Sequence, residues 1–132
     1  MSWTIRHRPD EGILWVTTEG VHTPEDVGRM AQEASAVATR LGVTRFLVDD
    51  RKMTPEFRTL AVYQLPRQFE GWGLPKGARV ATVYSGSSPK KDDFRFYETV
   101  AGNFGGVEVR VFEDSVERAL EWLSSSGAGE KA

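Results

Sequence analysis

Two strand-like runs open the chain, and from residue 23 onward amphipathic segments of helical period alternate with short apolar runs of strand character. The predicted element order is β-β-α-β-α-β-α-β-α. Such alternation is typical of a parallel sheet, because each helix carries the chain back across the sheet before the next strand begins. The first two runs flank a turn at residues 9–12 and predict a hairpin. The sequence therefore predicts an α/β fold whose five-stranded sheet is mostly parallel, with an antiparallel first strand.

The first helix carries the strongest local signals. Thr23 is suited to cap its start, Pro24 fits the first helical position, and Gly42 is suited to end it. The apolar residues between these points recur on one helical face, which indicates burial against the sheet. They are Val27, Met30, Ala31, Ala34, Val37, Ala38 and Leu41.

A second helix is predicted from Pro55, with Thr54 as its N-cap, and Pro66 is expected to interrupt it. Its predicted inner face comprises Phe57, Leu60, Ala61 and Leu65. A strand at 78–84 and a third helix follow, with Ser87 or Ser88 as cap and Pro89 as first helical residue. An edge strand at 107–112 and a last helix, capped by Asp114 or Ser115, complete the order.

Composition limits the classes of function. The chain has 132 residues, no cysteine and a formal net charge of -2. We expect one domain over residues 1–124 and a flexible tail over 125–132. The absence of cysteine excludes disulfides, thiolate zinc sites and a cysteine nucleophile. The charge balance gives no electrostatic basis for a nucleic-acid partner, and no apolar run predicts a signal or integral membrane segment, so the cytoplasm is the expected location.

Two adjacent acids, Asp49 and Asp50, follow an apolar strand predicted at 45–49, where ligands of α/β sheets commonly bind. A phosphatase of the haloacid-dehalogenase type needs Asp-x-Asp-x-Thr, which this spacing excludes. A response-regulator receiver needs its acidic pair after the first strand and a lysine after the last. Here the acids follow the third strand and the last strand ends without a lysine, so this class is excluded as well. A magnesium site would need both acids on one ion, although adjacent strand residues point to opposite faces. The structural interpretation is that Asp49 and Asp50 end the strand and either pair with Arg51 or Arg45 or cap the turn.

Other catalytic motifs are missing. The stretch "SGSSPKK" lacks the spacing of a phosphate-binding P-loop, and no Gly-x-Ser-x-Gly sequence is present. His7 and His22 have no partners at metal-ligand spacing. No cofactor and no metal are predicted, and a hydrolase or phosphotransfer enzyme that uses Asp49 and Asp50 is kept only as a third hypothesis.

Residues 57–74 carry more large apolar side chains than one helix face can bury. Val62 and Tyr63 are predicted to lie off the inner face, and Phe96 stands beside Tyr97 in the third helix. Such surplus indicates a partner surface or an apolar pocket. The alternative is that the interruption at Pro66 lets both halves of the segment turn inward.

Four stretches together resemble the SpoIIAA-like branch of the STAS superfamily: "TPED", "RFLVDDR", "RVATVY" and "VRVFEDSVERALEWL", within residues 3–123. The resemblance implies helices chiefly on one side of the sheet. It also implies binding of protein partners, small anions or nucleotides, and the related CRAL-TRIO proteins, which share the fold, exchange lipids. Anti-sigma antagonists carry an Asp-Ser-Ser-Gly switch before the second helix. Here "DDRKMTPEF" stands in that place, and Thr54 is its only hydroxyl and the only candidate phospho-acceptor.

The primary hypothesis is a non-enzymatic, STAS-like binding or regulatory module that acts through protein–protein contact. The alternative is a carrier or sensor of a small apolar, lipid-like or acidic ligand held under the second and third helices. A homodimer through the apolar helices or an edge strand is also predicted. The candidate binding residues are Asp50, Arg51 and Thr54 as polar contacts, and Tyr63, Phe69, Trp72, Phe96 and Tyr97 as apolar ones.

Overall fold

A five-stranded mixed sheet forms the centre of the molecule. The computed structural model describes residues 2–102 and 104–125, so the predicted tail beyond Ser125 lies outside the described residues. The strands lie side by side in chain order; β1 is antiparallel to β2, and every other neighbouring pair is parallel. This confirms the predicted sheet. The strands are β1 (Ser2–Arg8), β2 (Ile13–His22), β3 (Arg45–Pro55), β4 (Arg79–Tyr84) and β5 (Glu108–Glu113).

Helices cover the two faces of the sheet unequally. Helices α1 to α4 pack on one face and α5 packs on the other, as expected for helices chiefly on one side. Short 3₁₀ turns at Leu65–Gln68 and Phe104–Gly106 connect elements. None of the helices within residues 2–102 and 104–125 combines the length and apolar character needed to cross a membrane. The helices are α1 (Pro24–Leu41), α2 (Thr59–Gln64), α3 (Phe69–Trp72), α4 (Lys91–Ala101) and α5 (Val116–Ser124).

Helix α1 begins and ends where its sequence predicts. The Thr23 hydroxyl accepts a hydrogen bond from the backbone N–H of Asp26 at 3.2 Å, and the Asp26 carboxyl accepts one from the Thr23 N–H at 2.9 Å. This reciprocal capping box satisfies two N–H groups that the helix leaves unpaired. Gly42 ends the helix in the left-handed conformation, at φ 72°, which costs glycine little because it has no Cβ.

The predicted start of the second helix is wrong. Strand β3 continues to Pro55, with Thr54 opposite Val21 and Pro55 opposite His22 in β2, so Thr54 is a strand residue and caps nothing. Helix α2 begins at Thr59, and its N-cap position, Arg58, makes no side-chain capping bond. Four more residues of pairing with β2 (Lys52↔Glu19 to Pro55↔His22) outweigh a local Thr-Pro-Glu capping signal, which contributes only about 1 kcal/mol.

The later start of α2 changes which of its residues face the core. Leu60, predicted to be inside, is 64% exposed, whereas Val62, predicted to be outside, is 2% exposed. Tyr63 lies on the outer side, as predicted. Pro66 does interrupt the helix, because the chain passes through the 3₁₀ turn before α3 begins at Phe69. Beyond this turn Phe69 and Trp72 point inward.

The two remaining predicted helix starts have different outcomes. Helix α4 begins at Lys91, two residues after the predicted Pro89, and neither Ser87 nor Ser88 occupies its N-cap position. Ser115 caps α5, since its hydroxyl accepts a hydrogen bond from the Arg118 N–H at 3.1 Å. The structure thus selects Ser115 from the two predicted caps.

Candidate functional site

The site is built where β3 leaves the regular sheet. Thr17 pairs with Asp49 and Glu19 with Lys52, so two residues of β3, Asp50 and Arg51, stand opposite the single residue Thr18. This is a β-bulge, which bends a strand and redirects its side chains. Beyond Asp49, β3 pairs with β2 but no longer with β4. The sheet therefore opens between β3 and β4 at the end that carries Asp50.

Asp50 is a buried acid without a cationic partner among the described ion pairs. It is 6% exposed, and its Oδ1 atom accepts a hydrogen bond from the Thr18 hydroxyl at 2.6 Å. Burial raises the pKa of Asp50, the Thr18 hydrogen bond lowers it in part, and the nearby Asp49 charge raises it, to a pKa of about 7. Asp50 can therefore change its charge near neutral pH.

Asp49 lies on the other face of the sheet and, unlike Asp50, is paired with a cation. The Arg51 side chain donates to it twice, from Nε to Oδ1 at 2.9 Å and from Nη2 to Oδ2 at 2.8 Å, and the Arg51 backbone N–H donates to Oδ1 at 3.2 Å. Burial acts to raise the pKa of Asp49, but the hydrogen bonds from the Arg51 side chain and backbone outweigh it, so the pKa lies below its usual value. The predicted pairing with Arg51 is confirmed, whereas the predicted strand end at Asp49 is wrong.

A cavity of about 110 Å³ lies between the sheet and helices α1 to α4. The strands form its floor, α1 and α4 form its walls, and the segment from α2 to α3 (residues 59–72) covers it. Most of its lining is aliphatic or aromatic. The lining includes Val16, Val48 and Val80 from the sheet, Met30 and Ala34 from α1, and Val62, Leu65, Phe69 and Trp72 from the covering segment.

Four polar side chains interrupt this apolar lining: Asp50, Thr82, Asp93 and Tyr97. Burial, together with the charge of Asp50, raises the pKa of the Tyr97 phenol well above its usual value, so Tyr97 is a neutral hydroxyl at physiological pH. No lysine, arginine or histidine occurs among the described residues that line the cavity. The polar part of the cavity therefore offers carboxyl and hydroxyl groups only.

The covering segment sits close to α1 because of a glycine. A Cβ atom on Gly28 would lie 3.2 Å from the indole nitrogen of Trp72, which is tighter than ordinary van der Waals contact. Glycine at this position lets the Trp72 ring lie against the backbone of α1. Trp72 in turn packs at 5.7 Å from the Phe69 ring, which gives the cavity an aromatic cover.

The predicted binding residues fall into two groups. Asp50, Phe69, Trp72 and Tyr97 line the cavity together. Arg51, Thr54, Tyr63 and Phe96 are not among its lining residues: Arg51 and Thr54 are exposed on β3, Tyr63 is 42% exposed on α2, and Phe96 is half-buried on α4.

Three polar residues of the site were not predicted. Asp93 belongs to a run of charged residues that reads as a helix start, and Thr82 lies inside an apolar strand. Thr18 reaches Asp50 only across the bulge. No sequence spacing encodes that contact, since the two residues are 32 positions apart.

Thr54 is not at a helix N-terminus, so the electrostatic reason to expect a phosphate there is absent. The hydrolase hypothesis needs Asp49 and Asp50 to act together. The two acids lie on opposite faces of the sheet, so they do not converge on one site. Within residues 2–102 and 104–125, no three histidine, aspartate or glutamate side chains converge in a way that could hold a metal ion.

The fold is similar to that of a solved structure. An uncharacterized protein from the DUF3478 family of Shewanella loihica PV-4, described as having a SpoIIAA-like fold, is 20% identical to this chain; the match covers 92% of each chain, with a TM-score of 0.55. The chain has a SpoIIAA-like fold. At this level of identity the likeness is one of fold, and it confirms the fold part of the resemblance predicted from the sequence.

Two structures of SpoIIAA itself are more distant. The anti-sigma factor antagonist SpoIIAA in its unphosphorylated form and the Bacillus cell fate determinant SpoIIAA in its phosphorylated form are each 12% identical to this chain. Their TM-scores are 0.48 and 0.47, and the matches cover 92% of this chain and 96% and 98% of theirs. No protein-family model and no curated protein matches the sequence.

Proposed function

We propose that this SpoIIAA-like protein binds a small, mainly apolar ligand in the cavity between its sheet and helices α1 to α4. The observation that carries the proposal is the cavity itself. A cavity of about 110 Å³ with a mostly apolar lining and a few convergent polar groups has the character of a small-molecule site.

The size of the cavity limits the ligand. An apolar cavity of about 150 Å³ is large enough to hold a benzene ring. The volume here, about 110 Å³, therefore suits a single small ring or a short branched chain, with a modest outward shift of the covering segment. A whole lipid would need far more space, so the proposal favours a small ligand over a lipid-like one.

The proposed role is that of a binding or sensing module rather than an enzyme. The separation of Asp49 and Asp50 onto opposite faces weighs against chemistry that needs two cooperating acids. Ligand binding under residues 59–72 would displace that segment. Because the outer side of the same segment faces solvent, a bound ligand would change the surface that the protein presents.

Calorimetric titration with benzyl alcohol tests the proposal. We expect saturable binding to the unaltered protein and none to Ala34→Phe, because the added ring fills the cavity from α1. Ala36→Phe is the matched control, since Ala36 lies on the exposed side of the same helix and its replacement should leave binding unchanged. Absence of binding to the unaltered protein, or equal binding to both variants, would contradict the proposal.

Contact between two copies of the chain through the outer side of α2 is a second candidate function. The observation that favours it is the exposure of Leu60, at 64%, and Tyr63, at 42%, beside Phe104, at 36%. The Arg67 guanidinium lies 4.3 Å from the Tyr63 ring centroid and 5.5 Å from that of Phe104, which joins the two aromatic residues into one patch.

The hydrogen bonds of edge strand β5 favour this patch over β5 as a route to a dimer. Two N–H groups of β5 are already bonded within the chain: Val109 donates to the Gly102 carbonyl and Val111 to the Glu98 carboxyl, each at 2.8 Å. Light scattering over a concentration series should show association that Leu60→Glu weakens. Leu41→Glu is the control, because Leu41 is 43% exposed on α1. A monomer at all concentrations would exclude this candidate.

A further inference from the structure

We propose that the ligand of this cavity is an organic cation, a small apolar body with one protonated amino group that pairs with the Asp50 carboxylate. The inference rests on the proposed function and specifies its ligand class.

The charges in the lining are of one sign. Asp50 and Asp93 contribute two carboxyl groups, and no basic side chain occurs among the described lining residues. An anionic ligand would therefore meet repulsion and no counter-charge, whereas a cation would meet attraction. Like charges placed together in an interface or pocket select strongly against a ligand of the same sign.

Only one of the two carboxylate oxygens of Asp50 takes part in a described hydrogen bond. The Thr18 hydroxyl occupies its Oδ1 atom, and no described hydrogen bond or ion pair engages its Oδ2 atom. A carboxylate can accept several hydrogen bonds. An ammonium group, which carries three donors, would supply a hydrogen bond to Oδ2 and the counter-charge that Asp50 lacks among the described ion pairs.

The energetic cost of burying the acid is already present in the ligand-free protein. For most ion pairs, removing two charges from water costs as much as their attraction returns. Here only the ammonium would lose its hydration on binding, because Asp50 is buried beforehand. A pre-buried carboxylate thus gains more from a cation than an exposed carboxylate would.

The ionisable groups around Asp50 come from its own strand and from α4. Its own strand brings Asp49, which stays ionised beside Arg51. Helix α4 brings Asp93 and the neutral hydroxyl of Tyr97, and the lining residues of α1 and of residues 59–72 are all apolar. From β2 and β4 come the hydroxyls of Thr18 and Thr82. Cation binding should accordingly follow the ionisation of Asp50.

Three size-matched probes separate this inference from its alternatives: benzylamine, benzyl alcohol and benzoate, each titrated by calorimetry at pH 6 and pH 8. We expect benzylamine to bind tightest at pH 8 and roughly tenfold more weakly at pH 6, because Asp50 must lose its proton to pair. The affinity for benzyl alcohol should differ little between the two pH values, and benzoate should bind most weakly of the three. Asp50→Asn should remove the amine preference, whereas Asp49→Asn should retain it.

The outcomes distinguish this inference from the proposed function. If benzyl alcohol binds and benzylamine shows no preference or no dependence on Asp50, the cavity is a ligand site but the cation inference is wrong. If benzoate or benzyl alcohol binds best and tighter at pH 6, a protonated Asp50 acts as a hydrogen-bond donor instead, which also overturns it. If no probe binds at either pH, the proposed function fails and this inference fails with it.

Discussion

The two faces of the sheet carry similar apolar residues but are packed differently. On the α5 face, the side chains of Leu47, Ala119 and Leu123 are each no more than 1% exposed, and they pack with Ile13, Ala81 and Val83 into one closed cluster. On the α1–α4 face, a larger set of equally apolar residues surrounds a cavity. More helices and more apolar side chains therefore do not produce tighter packing. The difference indicates that the α5 face serves mainly stability and the other face is shaped around a space.

Asp49 and Asp50 show the same contrast at the scale of single residues. Asp49 projects away from the cavity and has its full complement of charge-assisted bonds from Arg51. Asp50 projects into the cavity with a single neutral donor, Thr18. A buried acid with a raised pKa and no counter-ion is costly for stability, so its presence beside a cavity is better explained by function.

The largest expected effect comes from truncating leucines on the two faces. Leu123→Ala should lower the free energy of unfolding by an amount toward the upper end of the usual range of about 2–5 kcal/mol. Leu65→Ala should cost distinctly less, because one side of Leu65 already borders a space and loses fewer packing contacts. Urea denaturation of both variants measures the difference. Equal losses would remove the contrast between a closed and an open face.

Removing the Asp50 charge should stabilise the protein at alkaline pH. The folded-state pKa of about 7 lies above the unfolded value, so the folded protein holds its proton longer and stability falls as pH rises between about 4 and 7. Asp50→Asn should abolish this fall and raise the free energy of unfolding by up to about 4 kcal/mol at pH 8. Urea denaturation across that range measures it.

Asp49→Asn is the matched control for this titration. The pKa of Asp49 is lowered, so its contribution to stability is present above about pH 4 and is lost as the solution becomes more acid. The variant should be slightly less stable than the unaltered protein at pH 8 and should keep most of the fall between pH 4 and 7. If Asp49→Asn and Asp50→Asn behave alike, the two acids do not differ as described.

Thr18→Val should give the smallest effect. The hydroxyl of Thr18 stabilises the ionised form of Asp50 and so lowers its pKa. Valine has nearly the same shape but no donor, so the pKa of Asp50 should rise further and the fall in stability should shift to higher pH. Carbon-detected NMR titration of the aspartate carboxyls follows this directly. An unchanged or lowered pKa would show that the bond is not formed in solution.

The parts of this fold that the sequence predicted are those with local causes. The Thr23 and Gly42 caps and the hairpin are specified by residues a few positions apart, and they lie where expected. The start of α2 was mispredicted because Thr54-Pro55-Glu56 satisfies the same local rule, while pairing of β3 with β2 satisfies a long-range one. Strand pairing depends on partners that no short window of sequence contains.

The site was predictable only in part for the same reason. Asp50, Phe69, Trp72 and Tyr97 were selected from the sequence by residue type and by the surplus of aromatics. Their convergence on one cavity requires the bulge opposite Thr18 and the separation of β3 from β4 after Asp49, both of which are properties of the assembled sheet. The pairing of Asp49 comes from its chain neighbour Arg51, whereas the contact between Asp50 and Thr18 depends on the assembled sheet.

The most direct test of the account is a methyl-detected NMR titration of the unaltered protein with benzyl alcohol. We predict saturable shift changes at Val16, Val48 and Leu65, which line the cavity, and none at Leu47, Val83 and Leu123, which form the closed core under α5. Shifts that do not saturate, or that appear equally on both faces, would contradict the claim that one face of this sheet is built around a ligand.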